Sequence, residues 1–168
     1  MAAHAARATV SRTESRVAAL CRLLNAEEAR YVVVGATALQ LWGSSRATRD
    51  IDILIEPTLE NAESVLRALR QLPFRVAEEY TPHDLISRVV TMTGDSPNVD
   101  VLTRAWNLRW PDASRDIVVF DLDDVPVPTV SLANLIASKR TGRLQDLADI
   151  QVLEEIQRAL HAPPTAQP

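Results

Sequence analysis

A seven-residue segment, D-I-D-I-L-I-E at positions 50–56, constrains the fold more than any other part of this 168-residue sequence. Its first residues alternate between acidic and apolar, which predicts a β-strand because successive strand side chains point to opposite faces. Asp50 and Asp52 therefore leave one face together, while the isoleucines between and after them point into the core. The chain must build a sheet that buries one face of this strand and leaves two carboxylates on the other.

Two carboxylates held this close repel each other unless a cation lies between them. Magnesium takes oxygen ligands, typically one or two carboxylates with phosphate oxygens. A pair of such ions ~3.5–4 Å apart can activate an attacking oxygen and stabilise a leaving one. Asp100, in the segment N-V-D-V-L, can supply a third carboxylate from a neighbouring strand. The alternative interpretation of Asp50 and Asp52 is the solvated outer face of an amphipathic strand.

The remaining pattern mixes helices and strands without strict alternation, which predicts an α/β or α+β domain around a short mixed sheet. Helices are predicted over 11–30 (with Ser11 and Glu14 as a capping box), 36–42, 57–72, 131–139 and 143–160. Strands are predicted over 31–34, 50–56, 74–77, 88–93 and 99–103, with two more in 116–128, where prolines place the second at a sheet edge. One domain is expected over 11–160, with flexible tails at 1–10 and 161–168.

Composition narrows the class of protein further. The apolar fraction is 46% and the net charge is −4, so bulk charge gives no argument for a nucleic-acid binder. The single cysteine, Cys21, excludes an internal disulfide and any multi-cysteine metal site, and its apolar helical surroundings predict a core position. No apolar run approaches the ~20 residues of a membrane helix. We therefore expect a cytoplasmic protein with no membrane partner.

The turn at Gly35 lies between a buried strand and the start of a helix, where a backbone can come close to a phosphate. This strand, glycine and helix, followed by Asp-x-Asp and a later single acid, resembles the polymerase-beta-type nucleotidyltransferases. The closest resemblance is to the small abortive-infection and type IV toxin-like (AbiEii-like) group, with its motif V-G-G-x-A-L, then G, then R-x-T-x-D-I-D-L. The positions that match in place are Gly35, Ala38, Leu39, Gly43, Arg46, Thr48, Asp50, Ile51 and Asp52.

The resemblance implies a nucleotidyltransferase fold with a helical C-terminal part. It also implies two magnesium ions (or manganese) on Asp50, Asp52 and Asp100, and a nucleoside triphosphate as substrate. The nucleotide-binding residues are expected to be Gly35, Ala36, Thr37, Arg46 and Lys139, the last being the only lysine in the chain. Ala36 departs from the pattern, because a serine there would offer a hydroxyl to the triphosphate and alanine offers only its N–H.

The expected reaction moves a nucleoside monophosphate from a triphosphate to an acceptor hydroxyl. The acceptor is left open between tRNA, protein and a small molecule, and a cognate antitoxin is a possible partner. An antibiotic nucleotidyltransferase of the aminoglycoside or lincosamide type would use the same residues. Ala36 also keeps open a catalytically silent nucleotide-binding or antitoxin-like module.

Four further residues carry weaker signals. Arg143 and Asp146 open the last helix, where the aspartate suits the helix dipole, and the resemblance makes both plausible supports for the site. Trp106 and Trp110 lie near arginines and could stack a base, although core or interface positions are the favoured interpretation. The histidines at 4, 83 and 161 are expected in tails or loops, without metal-ligand spacing.

Overall fold

Short strands and short helices alternate irregularly along residues 14–161, the part of the chain that the computed structural model describes. The main strands are β1 (Tyr31–Val33), β2 (Asp50–Ile55), β3 (Val90–Met92), β4 (Asn98–Leu102), β7 (Ile117–Leu122) and β8 (Val125–Val130), and β5 (Arg104–Ala105) and β6 (Leu108–Arg109) form a separate hairpin. The helices are α1 (Arg16–Ala26), α2 (Gly35–Leu41), α3 (Leu59–Leu69), α4 (Pro82–Ser87), α5 (Trp110–Ala113), α6 (Leu132–Ser138) and α7 (Leu144–His161), with a 3-10 turn at Val76–Glu79.

The six main strands form one mixed sheet in the order β3-β4-β2-β1-β8-β7. β2 runs parallel to β4 and β1 runs parallel to β8, whereas the other neighbours are antiparallel. This arrangement confirms the predicted mixed-sheet α/β class. It also places β4 and β2, the two strands that carry the aspartates, side by side as the second and third strands of the sheet.

Helix α1 packs on β8 and on α3, and α2 packs on β2. Ile53 and Ile55, on the face of β2 opposite the aspartates, are completely buried, and Val65 and Leu66 of α3 belong to the same core. Burying side chains of this size contributes roughly 1.5–3 kcal/mol each. The apolar face of the acidic strand is therefore fixed by packing, which also fixes where its carboxylates point.

Helix α1 begins later than the sequence pattern predicts. Ser15 caps it by accepting from the Ala18 N–H, and Glu14, one member of the predicted capping box, precedes the helix. Ser11 and the predicted tail at 1–10 lie outside the described residues, as do positions 162–168. The helix ends at Ala26 because Glu28 has a positive φ of 53°, which breaks the helical path.

The predicted strand at 74–77 is wrong. The Asp95 carboxylate accepts hydrogen bonds from the N–H groups of Phe74 and Val76 at 3.0 and 3.1 Å. Arg75 between them adopts a left-handed φ of 54°, so the segment is a clamped turn that runs into a 3-10 helix. These backbone donors are therefore satisfied by a carboxylate instead of by a neighbouring strand.

The predicted edge position of β8 is also wrong, because β8 lies between β1 and β7. Both of its prolines precede Thr129, the one residue that is registered with Val33 of β1. Near the first proline, the Asn25 side chain donates to the Pro126 carbonyl at 2.9 Å. Helix α1 covers this stretch of β8, so the missing proline N–H groups break no registered pair with β1.

Helix α4 was not anticipated, and it contains His83, which was expected in a loop. Thr81 caps it by accepting from the Asp84 N–H, and the Asp84 carboxylate accepts from the Thr81 N–H in return. His161, expected in the tail, is the last residue of α7. In the described part of the chain, no helix is both long and apolar enough to cross a membrane.

Candidate active site

The carboxylates of the acidic strand meet those of its parallel neighbour. In the register of β2 and β4, Asp52 lies directly beside Asp100, and Asp50 lies beside Asn98. The Asn98 amide donates to Asp50 Oδ1 at 3.1 Å. Asp50, Asp52 and Asp100 therefore share one side of the sheet, and we call them the carboxylate face.

The carboxylate face concentrates negative charge that no basic side chain neutralises through a direct ion pair in residues 14–161. Burial, with the nearby charges of Asp100 and Asp50, raises the pKa of Asp52 to about 6, whereas an ordinary aspartate has a pKa near 4. Burial and Asp50 likewise raise the pKa of Asp100. Ionised carboxylates at this face thus cost free energy until a cation or a proton neutralises them.

Gly35 lies against this face because the chain turns sharply between β1 and α2. A Cβ atom built on Gly35 would stand 2.1 Å from Asp52 Oδ2, and the glycine φ is +62°. Only glycine fits both the contact and the backbone conformation. The next N–H, that of Ala36, donates to the Asp52 carboxylate and opposes the rise in its pKa. The turn therefore orients a carboxylate as well as exposing its backbone.

Three carboxylates suit a hard divalent cation, since Mg²⁺ prefers oxygen ligands. The described residues do not, however, gather three His, Cys, Asp or Glu side chains tightly enough for a complete metal site. Asp52 and Asp100 are adjacent, while Asp50 is engaged by Asn98. The donor set fits magnesium, and phosphate oxygens of a substrate are the natural remaining ligands.

An open cleft of about 790 Å³ begins at Gly35, Ala36 and Asp52. Its walls come from the end of β1, the start of β3, the β5–β6 hairpin and the segment between α6 and α7. Five basic side chains and one acid line it, although the whole chain carries a net charge of −4. The basic residues that line the cleft are Arg46, Arg104, Lys139, Arg140 and Arg143. The cleft is thus suited to an anionic ligand.

Lys139, at the C-terminal cap of α6, reaches this cleft from a buried position. Its Nζ lies 2.8 Å from Asp149 Oδ2 and 3.4 Å from Asp146 Oδ1. Lys139, Asp146 and Asp149 form what we call the lysine cluster. Hydrogen bonds and the lysine charge hold the pKa of both aspartates below the usual range despite their burial. The predicted helix with Ser131 at its start is confirmed.

Two arginines are tied to the lysine cluster from opposite sides. Arg46 Nη1 lies 2.5 Å from Asp149 Oδ2, and Arg143 Nε lies 2.8 Å from Asp146 Oδ2. Both arginines line the cleft. The cluster therefore positions three cations along one wall. Sequence periodicity could not show that Arg46 joins them, because Arg46 and Asp149 are 103 positions apart.

Thr37 is not brought to the cleft. Its side chain is buried, and its hydroxyl donates to the Asp50 carbonyl at 3.1 Å. The structure therefore places Thr37, expected among the nucleotide-binding residues, outside the cleft lining, where its hydroxyl ties α2 to the start of β2. Gly35, Ala36, Arg46 and Lys139 do line the cleft.

The two tryptophans have different surroundings. Trp110 packs partly buried against the core, as favoured from the sequence. Trp106 is 54% exposed at the tip of the β5–β6 hairpin and lines the cleft, so a core position is wrong for it. Cys21 is buried, and burial raises the pKa of its thiol to about 11, which confirms its core position.

The fold is that of nucleotidyltransferases, and one solved structure supports this. An antigenic nucleotidyltransferase-like protein from Paracoccidioides brasiliensis matches with a TM-score of 0.54 at 15% identity, over 89% of this chain and 77% of that one. A candidate nucleotidyltransferase from Thermotoga maritima gives a TM-score of 0.48 at 16% identity, over 84% of this chain and 88% of that one. No curated protein sequence matches the chain.

The sequence match is more specific than the structural one. Residues 18–164 match the family described as the nucleotidyl transferase AbiEii toxin of type IV toxin–antitoxin systems. Since the match spans most of the chain, the protein belongs to this family and is a nucleotidyltransferase. The resemblance inferred from the strand, glycine and Asp-x-Asp pattern is confirmed.

Proposed function

We propose that this protein is a metal-dependent enzyme that transfers a nucleoside monophosphate from a nucleoside triphosphate to an acceptor hydroxyl. The observation that carries the proposal is the parallel register of Asp52 with Asp100, beside a glycine that leaves no room for a side chain. Unpaired carboxylates next to a basic cleft are the arrangement that a divalent cation and a polyphosphate would complete. Asp50, Asp52 and Asp100 would hold two magnesium ions, or manganese.

Bound divalent cations would neutralise phosphate charge and favour ionisation of the attacking hydroxyl. The acceptor oxygen forms a bond to the α-phosphorus, the bond from that phosphorus to the oxygen bridging to the β-phosphorus breaks, and pyrophosphate leaves. The acceptor proton passes to the Asp100 carboxylate. Positioning and electrostatics suffice for such chemistry, so no covalent intermediate with the protein is required.

The basic wall of the cleft supports triphosphate binding in this proposal. Arg46 offers a planar fork that matches phosphate oxygens, and Lys139 offers a compact charge. Both are already engaged by Asp149, so they are oriented before a ligand arrives. The backbone at Gly35 and Ala36 forms the end of the cleft nearest to Asp52. Preorganised cations of this kind lose less entropy when they bind.

Family membership supports a further element of the proposal, that the protein acts as a toxin with a cognate antitoxin as partner. Transfer assays with tRNA, protein and small-molecule acceptors would identify the acceptor. We would incubate the protein with magnesium, each α-labelled triphosphate and each class of acceptor.

Label transfer with pyrophosphate release is the expected result in the parent, and it should be lost in Asp100→Asn. The matched control is Asp112→Asn, because Asp112 is exposed on α5 and is not among the residues that line the cleft. Transfer by Asp100→Asn at the parental rate would contradict the assignment of the carboxylate face.

A further inference from the structure

Trp106 occupies a turn position that rarely accommodates a bulky residue. Ala105 and Leu108 pair across the β5–β6 hairpin and are buried, so the two-residue turn between them projects from a fixed base. Trp106 is the first residue of that turn and has a φ of +58°. Glycine is the usual residue where the first central position of such a turn has a positive φ. Strain of this kind at a cleft points to a role in binding.

The indole ring is also held in a fixed orientation. The guanidinium carbon of Arg143 lies 4.1 Å from the ring centroid, a cation–π contact. Arg143 is itself anchored, since its Nε donates to Asp146 Oδ2 at 2.8 Å and Asp146 is 2% exposed. Trp106 therefore lines the cleft as a half-exposed aromatic side chain whose ring is held by an anchored cation, unlike a tryptophan alone on an open surface.

The cleft connects this aromatic surface to the carboxylate face. Trp106 and Arg143 line one part of it, and Gly35 and Asp52 line another. Its volume of about 790 Å³ lies in the range of small-molecule sites, roughly 300–1,000 Å³. A ligand that fills such a cleft has an anionic part and a flat aromatic part, which is the chemistry of a nucleotide.

We infer that Trp106 is the platform on which the nucleobase of the triphosphate stacks, with Arg143 as the positioning residue that holds the ring. This inference rests on the proposed function, because it names where that substrate's base lies. Stacking needs only a π face, so the platform contributes affinity for any base and leaves base selection to other contacts. The expected contribution of one stacked base is about 5- to 100-fold in affinity.

The test compares ligands with and without a base. Calorimetry measures binding of the four triphosphates and of inorganic tripolyphosphate, with magnesium, to the parent, Trp106→Ala and Trp106→Phe. Trp106→Ala should weaken binding of the preferred triphosphate about 5- to 100-fold and leave tripolyphosphate binding unchanged. Trp106→Phe keeps an aromatic face, so it should bind within about threefold of the parent. Phe74→Ala is the matched control, since Phe74 is an exposed aromatic residue outside the cleft.

The outcomes separate this inference from the proposed function. Unchanged triphosphate affinity in Trp106→Ala, while the parent binds, overturns the platform and leaves the transferase proposal standing. An equal loss of affinity for tripolyphosphate overturns it too. A parent that binds no triphosphate overturns both. Fluorescence gives a second readout, because nucleotide should quench the parent and quench Trp106→Phe much less.

Discussion

Two groups of aspartates flank the same cleft, and their electrostatics are opposite. On the carboxylate face, burial and like charges raise the pKa of Asp52 and Asp100. In the lysine cluster, Asp146 and Asp149 are only 2% and 3% exposed to solvent, yet hydrogen bonds and Lys139 hold their pKa values low. Burial alone therefore does not identify a cation site. The aspartates that lack a basic partner are those that a metal would neutralise, and the paired ones support the wall of the cleft.

The largest expected effect is on catalysis. Asp52→Asn should lower the rate of nucleotide transfer more than about 100-fold, because residues that only support a metal ligand already cost about 10- to 100-fold when they are replaced. The fold should be retained, since the variant removes a repulsive charge. Steady-state assays beside thermal melts check both parts. Parental activity in Asp52→Asn would remove the functional contrast between the two groups.

The next effect is on stability. Asp149→Asn leaves Lys139 with the longer contact to Asp146 and removes the ion pair between Arg46 and Asp149. Removing one member of a buried ion pair should lower the free energy of unfolding by about 2–4 kcal/mol, or roughly 5–15 °C in Tm. Asp112→Asn, in an exposed pair with Arg115, should cost less than about 0.5 kcal/mol. Equal urea midpoints for the two variants would show that the lysine cluster does not stabilise the fold.

A smaller effect concerns the space that the carboxylate face needs. Gly35→Ala should reduce transfer at least about tenfold, because its Cβ would displace Asp52. Gly94→Ala is the matched control, since Gly94 has nearly the same φ of +61° and no atom within 4 Å of its Cβ position. Both variants should lose about 1–2 kcal/mol of stability from the left-handed backbone. Equal activity of the two variants would show that transfer does not require the space beside Asp52.

The smallest effect is a pH dependence with opposite signs for the two groups, measured without divalent metal. The pKa of Asp52 is about 6 in the folded protein and near 4 when unfolded, so its ionisation lowers stability as pH rises from 4 to 6. Asp52→Asn should therefore exceed the parent by about 1–2 kcal/mol at pH 7 and equal it at pH 4.

Asp149 behaves in the other direction. Its folded pKa is lowered, so its contribution is present above pH 4 and lost as pH falls below that value. The deficit of Asp149→Asn should be full at pH 7 and shrink in acid. Urea titrations at pH 3, 4 and 7 measure both variants. Parallel pH profiles for the two would contradict the comparison.

The sequence predicts the carboxylate face well because its signals are local. The alternation around Asp50 and Asp52 fixes a strand, and the apolar neighbours of Asp100 fix another, so only their adjacency needs the structure. Gly35 is likewise recognisable at a turn between a strand and a helix. These elements are predictable because the alternation of polar and apolar side chains is visible in adjacent residues.

The missed features depend on contacts between distant positions. No local pattern shows that Asp95 would clamp the segment at Phe74, or that helix α1 would cover the proline strand β8. The pairing of Arg46 with Asp149 spans 103 positions. Trp106 could be placed only once its hairpin was seen. Among the missed features, only helix α4 has a local signal, because Thr81 and Asp84 have capping-box spacing and precede the apolar pair Leu85 and Ile86.

The most direct test of the account measures whether nucleotide binding requires a metal on the carboxylate face. The preferred triphosphate is titrated calorimetrically into the parent, Asp52→Asn and Asp112→Asn, each with magnesium and with EDTA. Magnesium should strengthen binding at least about tenfold in the parent and in Asp112→Asn, and Asp52→Asn should lose this dependence. Equal affinity of the parent in magnesium and EDTA, or full magnesium dependence in Asp52→Asn, would contradict it.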